Sequence, residues 1–262
     1  MKTLLASAIL LASSGVYAHD SHNSCDVDLD GGIRINKNDI EFSNNKELVY
    51  KIVGKETLVV DGEVIALTTS QQSLVEDYAN SIYDVVPEVH SIVIEGLDMA
   101  TDGVTMAFNE LLGEGNNVGR DLTDELANIR DELDARFSSE DGFYIDQEGI
   151  DSGEFFGEDF ENRIESVVED AVMSSMGSIL VAVGQEMLMS GGNNGNFETR
   201  MEAFGERIEH EMESRGEKIS EKADQLCESA INIDKLEEQL KDEISEINDY
   251  NFVTVRNNHK SI

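Results

Sequence analysis

Three aspartates near the start of the chain form the clearest pattern of metal-ligand residue types. Asp26, Asp28 and Asp30 precede a glycine, as in the first half of a calcium loop, where alternate oxygens surround the ion. Arg34 and Lys37 occupy the ninth and twelfth loop positions, where the remaining ligands belong. Alternation with apolar residues is more typical of a half-buried β-strand. The sequence therefore predicts no cofactor, and divalent-cation binding by these aspartates is an alternative function.

A second concentration of carboxylates lies between residues 140 and 161. Two facing carboxylates in this segment could act as the acid and base of a hydrolase, which is a further alternative. Dense like charge is more typical of a hydrated loop. No nucleophile elbow, phosphate-binding loop or dinucleotide fingerprint occurs anywhere in the chain. The sequence therefore favours a non-enzymatic role and indicates no catalytic residue.

The N-terminus has the organisation of a secretory signal peptide. Lys2 provides the positive charge, residues 4–12 are apolar, and a small residue, Ala18, precedes His19. The apolar run is too short to span a bilayer. We therefore expect residues 1–18 to be removed by cleavage between Ala18 and His19, and the mature protein to be periplasmic.

The chain contains two cysteines, Cys25 and Cys227. An exported protein meets oxidising conditions, and two cysteines allow one intramolecular pairing. Closing a loop this long stabilises the folded state by roughly 5 kcal/mol in the chain-entropy view. The sequence predicts a disulfide between Cys25 and Cys227.

The composition excludes several classes of partner. Among 262 residues, 19 are Lys or Arg and 55 are Asp or Glu, which gives a net charge of −36. Nucleic-acid backbones and anionic membrane surfaces need clustered cations, so neither is an expected partner. The expected partner is a protein that the sequence does not identify, and the sequence does not define the oligomeric state.

Hydrophobic periodicity predicts an α+β fold in one continuous unit. After the signal peptide, residues 19–67 alternate like five to six short antiparallel strands. Residues 68–137 have helical spacing, and residues 138–157 have the composition of an acidic loop. Residues 158–262 form a long-helix region, with no membrane span expected after signal removal.

Local signals divide the first helical segment in two. A capping box at Ser73 predicts one helix, which Pro87 would end. A second helix is expected over residues 88–112. Its stripe of small residues, including Ala100 and Gly103, predicts close approach of another helix.

The second half of the chain is predicted to be wholly helical apart from its end. Residues 171–189 are apolar nearly all round, which is typical of a buried central helix. Residues 197–230 form an amphipathic, coiled-coil-like helix. Asp234 and Glu237 predict a new helix start, and residues 251–255 a short strand that returns to the N-terminal sheet.

Methionines on narrow apolar stripes favour a binding function, because methionine suits adaptable contact surfaces. We therefore expect a non-enzymatic binding or envelope-assisting protein. The residues are Met173, Met176, Met187, Met189, Met201 and Met212.

Short motifs spread over the whole mature chain together resemble the YggN-like family of uncharacterised periplasmic proteins from Gram-negative bacteria. The resemblance implies export, a cysteine pair and strands followed by helices. It implies no activity, because that family has none assigned. The motifs are Cys25 with Gly31-Gly32-Ile33, Asp61-Gly62 before Leu67, Tyr78, Val86-Pro87, Ala223-Asp224 with Leu226-Cys227, and Leu236-Glu237 with Leu240.

Overall fold

The computed structural model describes residues 25–113, 117–138, 142–147, 149–150 and 195–257, with single positions between 162 and 184. Strands precede long helices, so the predicted α+β class is confirmed. The strands are β1 (Cys25–Leu29), β2 (Gly32–Ile35), β3 (Asp39–Asn44), β4 (Glu47–Val53), β5 (Thr57–Val60), β6 (Glu63–Val64), β7 (Phe143–Asp146), β8 (Gly149–Ile150) and β9 (Val253–Asn257). The helices are α1 (Thr69–Leu112), α2 (Asn117–Phe137) and α3 (Gly195–Glu243), with a 3-10 turn at Ser245–Ile247.

Seven strands form one antiparallel sheet in the order β6-β5-β4-β3-β2-β7-β8. The sequence predicts an acidic loop over residues 138–157. That prediction is wrong for residues 143–146 and 149–150, which form strands β7 and β8. Strand β7 pairs with β2 and places Phe143 opposite Ile35. Phe143 is buried and Ile145 packs against the core, because alternating apolar residues present one face to the sheet's interior.

Strand β1 does not join this sheet. It pairs antiparallel with β9, which places Cys25 opposite Asn257 in a two-stranded ribbon. The predicted C-terminal strand is present, but it pairs with β1 outside the seven-stranded sheet, so the prediction that it joins the N-terminal sheet is wrong. Gly31 makes the turn from β1 to β2 with a φ of 133°. A Cβ atom at Gly31 would lie 2.5 Å from the carbonyl oxygen of Ser43, so only glycine fits.

The main core lies between one face of the sheet and two helix ends. The first turns of α1 contribute Val75 and Tyr78, and the last turns of α3 contribute Leu240. Phe42 lies at the centre, with its ring 4.3 Å from that of Tyr50. Aromatic pairs at such separations add to the stabilisation that comes from burial alone.

Helix α1 is continuous where the sequence predicts two helices. It begins at an N-cap on Thr68, with a capping box to Gln71, so the predicted cap at Ser73 is wrong. Pro87 lies inside the helix and its side chain is exposed. Proline removes one backbone hydrogen bond, but packing against α2 and α3 holds both flanking segments in the helix.

Helix α3 is also continuous and contains the predicted restart at Asp234. The carboxylate of Asp234 accepts a hydrogen bond from the Val255 N–H, 3.2 Å away, instead of capping a helix. This contact with the C-terminal strand overrides the local N-cap signal that Asp234 gives in the sequence.

Helices α1 and α3 run antiparallel and are joined by a ladder of ion pairs. The partners lie seven or eight residues apart along each helix, so they fall on the facing sides of both. The resulting surface pairs are individually weak, and their regular spacing holds the register of the two helices. The pairs are Glu95–Lys222 at 2.5 Å, Asp102–Arg215 at 2.6 Å and Glu110–Arg207 at 2.7 Å.

The small-residue stripe of α1 is not the close-packed seam that its spacing predicts. Ala100 is exposed. A Cβ atom at Gly103 would lie 3.8 Å from the Met212 sulfur, which is an ordinary van der Waals contact. The spacing correctly places these residues on one side of α1, but α3 does not approach them unusually closely.

The predicted disulfide joins Cys25 in β1 to Cys227 in α3, with the two Cα atoms 6.0 Å apart. The described residues contain no free cysteine. The bridge therefore fastens the β1–β9 ribbon to the longest helix.

We expect the double substitution Cys25→Ser/Cys227→Ser to lower the free energy of unfolding by up to about 5 kcal/mol, because the unfolded chain regains the freedom of a long loop. Urea denaturation of the oxidised wild type and the variant measures the change. Alkylation of denatured, unreduced wild type should add no mass, and two added groups would contradict the bridge.

Candidate functional site

The three candidate cation ligands lie along an extended strand. Asp26 and Asp28 belong to β1, and Asp30 follows it. Alternate residues of a strand lie about 7 Å apart, so their carboxylates do not converge. The Asp28 carboxylate already forms an ion pair with Arg256, 2.5 Å away. In the part of the chain that the structure describes, no three His, Cys, Asp or Glu side chains are grouped to hold a metal ion.

Asp30 instead lines an open, polar cleft of about 450 Å³ at one end of the sheet. Tyr144 and Asp146 of β7 line the same cleft. A Cβ atom at Gly32 would overlap the Tyr144 ring, so glycine is required for β2 and this ring to fit together. The tertiary structure thus places Asp30 and Asp146 in the lining of one cleft, which sequence spacing does not predict.

One histidine lies beside a carboxylate from another helix. His90 of α1 is 2.7 Å from Asp134 of α2, and its ring lies 4.7 Å from that of Phe137. An imidazole–carboxylate pair is the unit that orients a general base in many enzymes. Here the pair lies at a helix contact, and the nearby hydroxyl of Ser91 accepts a hydrogen bond from Lys222. We interpret His90–Asp134 as a link between helices.

Among the residues that the structure describes, the most buried charged side chain is that of Glu237, which is 2% exposed. Its Oε2 accepts a hydrogen bond from the Val253 N–H at 2.9 Å, and the Phe252 N–H approaches Oε1 at 3.0 Å. The Tyr78 hydroxyl donates to Oε1 at 3.2 Å. One side chain of α3 thereby connects α1 to the C-terminal segment.

Burial raises the pKa of Glu237 above its ordinary value of 4.5. Its backbone and tyrosine hydrogen bonds, together with Lys241, lower the pKa but do not cancel the effect of burial. Burial also raises the pKa of Tyr78 well above its usual range. These shifts arise from packing inside the core, so Glu237 acts in the structure as an acceptor for otherwise unpaired donors.

Sequence reasoning placed Glu237 in a capping box, and that prediction is wrong. A usable signal was present, because Glu237 lies four residues after Ile233 and three before Leu240 on the apolar stripe of α3. A carboxylate on such a stripe indicates a buried acceptor that needs partners. Nothing in the sequence identifies those partners, because the backbone of residues 252 and 253 is contributed by the returning tail.

An exposed apolar face lies on the helix that the sequence predicts to be buried. Every described position between 162 and 184 is helical. Met173, Met176, Leu180 and Val181 are 66%, 53%, 73% and 59% exposed. Their spacing of three, four and one residues places them on one side of an α-helix. The buried-helix interpretation is therefore wrong for this side, and these four residues are called the apolar face below.

The other predicted contact methionines differ in position. Met201 and Met212 are half-buried on α3. Met187 and Met189 lie outside the described residues. Among the helices that the structure describes, none has both the length and the hydrophobicity to cross a membrane.

We expect Glu237→Gln to lower the free energy of unfolding by about 1–3 kcal/mol at neutral pH, because the amide nitrogen would face buried N–H donors. The raised pKa means that the folded protein binds a proton at Glu237 more readily than the unfolded chain does. The contribution of Glu237 to stability therefore increases as the pH falls through its folded pKa towards 4.5. The difference between wild type and variant should widen over this range.

Urea denaturation between pH 7 and 4.5 measures this difference, with Glu238→Gln as the matched control. Glu238 is adjacent but 56% exposed and paired with Lys241, so its substitution should change stability little. A difference that narrows on acidification would contradict the pKa direction assigned to Glu237.

Comparison with known proteins places this fold in a family. No curated protein and no solved structure gives a significant match to the chain. One family profile, described as Protein of unknown function (DUF2884), matches residues 25–253. This match spans both cysteines, the whole seven-stranded sheet and helices α1, α2 and α3. The chain therefore belongs to the DUF2884 family of proteins of unknown function.

Proposed function

We propose that this protein is a non-enzymatic binding protein of the bacterial envelope that contacts polypeptide partners through the apolar face. The observation that carries the proposal is the exposure of Met173, Met176, Leu180 and Val181 on one side of a helix. Contiguous apolar surface of a few hundred Å² on a water-soluble protein is typical of an interaction site. Methionines also adapt their shape to different partners.

The surroundings of the polar groups support binding over catalysis. Glu237 is buried and bonded to backbone donors. His90 joins two helices, and Asp28 is neutralised by Arg256. Each of these groups has a structural partner that accounts for its position. In the described part of the chain, the apolar face has no such structural partner.

We also propose export to the periplasm and membership of the YggN-like group. The signal-like residues 1–18, which lie outside the described residues, support export. The Cys25–Cys227 bridge supports an oxidising compartment. The motifs that resemble the YggN-like family lie mainly in elements of this fold, including Pro87 inside α1.

Export is tested by expressing the full chain in a Gram-negative host and measuring the intact mass of the periplasmic product. We expect a protein that begins at His19. In the variant Ala18→Phe the residue before the cleavage point is too large for signal peptidase, so residues 1–18 should be retained. A wild-type protein that keeps its N-terminus in the cytoplasm would contradict the proposal.

Binding is tested with a fluorescent, uncharged peptide of about 18 residues that presents leucines on one helical face. We expect wild type to bind it and Met176→Glu/Leu180→Glu to bind at least about tenfold more weakly, because the substitutions place two charges in an apolar contact. Fluorescence anisotropy measures both dissociation constants.

The matched control is Val64→Glu, which introduces a charge at an apolar residue of the sheet. Val64 is 67% exposed and lies outside the apolar face. It should leave peptide affinity unchanged. Circular dichroism melts verify that all variants fold. If Met176→Glu/Leu180→Glu and Val64→Glu lose peptide affinity equally, or if wild type binds no peptide, the apolar face is not the contact surface.

A further inference from the structure

Exposed acidic residues precede the apolar face on the same side of its helix. Glu165 and Glu169 lie four residues apart, and Met173 follows after four more, so all three share one side of a helix. Both glutamates are exposed. The surface is therefore acidic at its N-terminal end and apolar over the next turns.

The lengths of the acidic end and of the apolar face limit the size of a partner that could cover both. At the α-helical rise of about 1.5 Å per residue, the described helical positions from Glu165 to Gly184 correspond to about 28 Å of axis, and those from Met173 to Gly184 to about 16 Å. Gly177 and Gly184 lie on the apolar part, and no described atom lies within 4 Å of either Cβ position. Glycine at such positions lets a second helix approach closely. One helix of about five turns would match this length.

We propose that the apolar face and its acidic end bind an amphipathic helical segment of another polypeptide, with lysines or arginines at one end and an apolar stripe along the rest. This inference rests on the proposed binding function and specifies its partner. The partner's cations would lie against Glu165 and Glu169, and its apolar stripe against Met176 and Leu180. Charge complementarity sets the direction in which the segment lies.

The charges on the protein favour this occupant over two others. A second copy would bring another chain of net charge −36 against this one, and a matching acidic end against Glu165 and Glu169 in a parallel pairing. Anionic lipid is repelled by the same charge. A cationic segment is attracted to the acidic end and buries the apolar part.

The experiment uses three synthetic peptides of about 18 residues that share one leucine stripe and carry four lysines, glutamines or glutamates at the N-terminal end. Binding to the full mature protein is measured by anisotropy at low and at high salt. We expect the lysine peptide to bind roughly tenfold more tightly than the glutamate peptide at low salt, with the difference shrinking as salt screens the charges.

Two charge variants locate the effect. Glu165→Gln/Glu169→Gln should weaken the lysine peptide about threefold to tenfold and leave the glutamine peptide unchanged. The control Glu213→Gln/Glu217→Gln removes two exposed carboxylates with the same spacing from α3. It should have less than about a twofold effect, because those charges lie on another helix and act only over a distance.

The outcomes separate the two levels of the proposal. If the lysine and glutamine peptides bind equally, or if both charge variants lose affinity equally, the cationic partner is wrong and the apolar binding function stands. If no peptide binds, both fail. A wild-type dimer in sedimentation that Met176→Glu/Leu180→Glu dissociates would assign the face to a second copy and overturn the inference.

Discussion

The buried carboxylate of Glu237 is the interaction on which the arrangement of the chain ends depends. It accepts the N–H groups of Phe252 and Val253 and the hydroxyl of Tyr78, so it connects α3, α1 and the tail. The tail in turn forms β9, which pairs with β1, and β1 carries Cys25. Without an acceptor at this point, two backbone donors would be buried unpaired beside the aromatic core, at a cost of about 1–3 kcal/mol each. The hydrogen bonds of Glu237 and the Cys25–Cys227 disulfide therefore both hold the β1–β9 ribbon against α3.

Ion pairs between α1 and α3 explain how two helices of so acidic a chain can pack together. Lys222, Arg215 and Arg207 of α3 each face a carboxylate of α1 at regular intervals. Only 19 of the 262 residues are Lys or Arg, and these three lie opposite carboxylates where α1 and α3 face each other. Many of the other described carboxylates, such as Glu213 and Glu217, are exposed. The negative surface that results makes a cationic partner favourable and an anionic one unfavourable.

In the described structure the packed core and the exposed apolar face are separate. The sheet, the start of α1 and the end of α3 form one core around Phe42, where aromatic rings contact each other. A second cluster, which includes Ile129 and Leu133, joins α2 to the middle of α1. The apolar face belongs to neither cluster. An exposed apolar surface outside the core suits the binding function proposed above.

The sequence by itself determined the elements that depend on local periodicity. Alternation identified strands β2 to β5, three-four spacing identified α2 and most of α3, and two cysteines allowed one bridge. Only the tertiary structure decided that Pro87 lies within one helix, that β1 pairs with the tail, and that Glu237 is a buried acceptor. It also decided that Met173 and Leu180 face outward. Periodicity shows which side chains share a face, but whether that face is covered depends on segments distant in the chain, whose contacts offset local costs such as a proline in a helix.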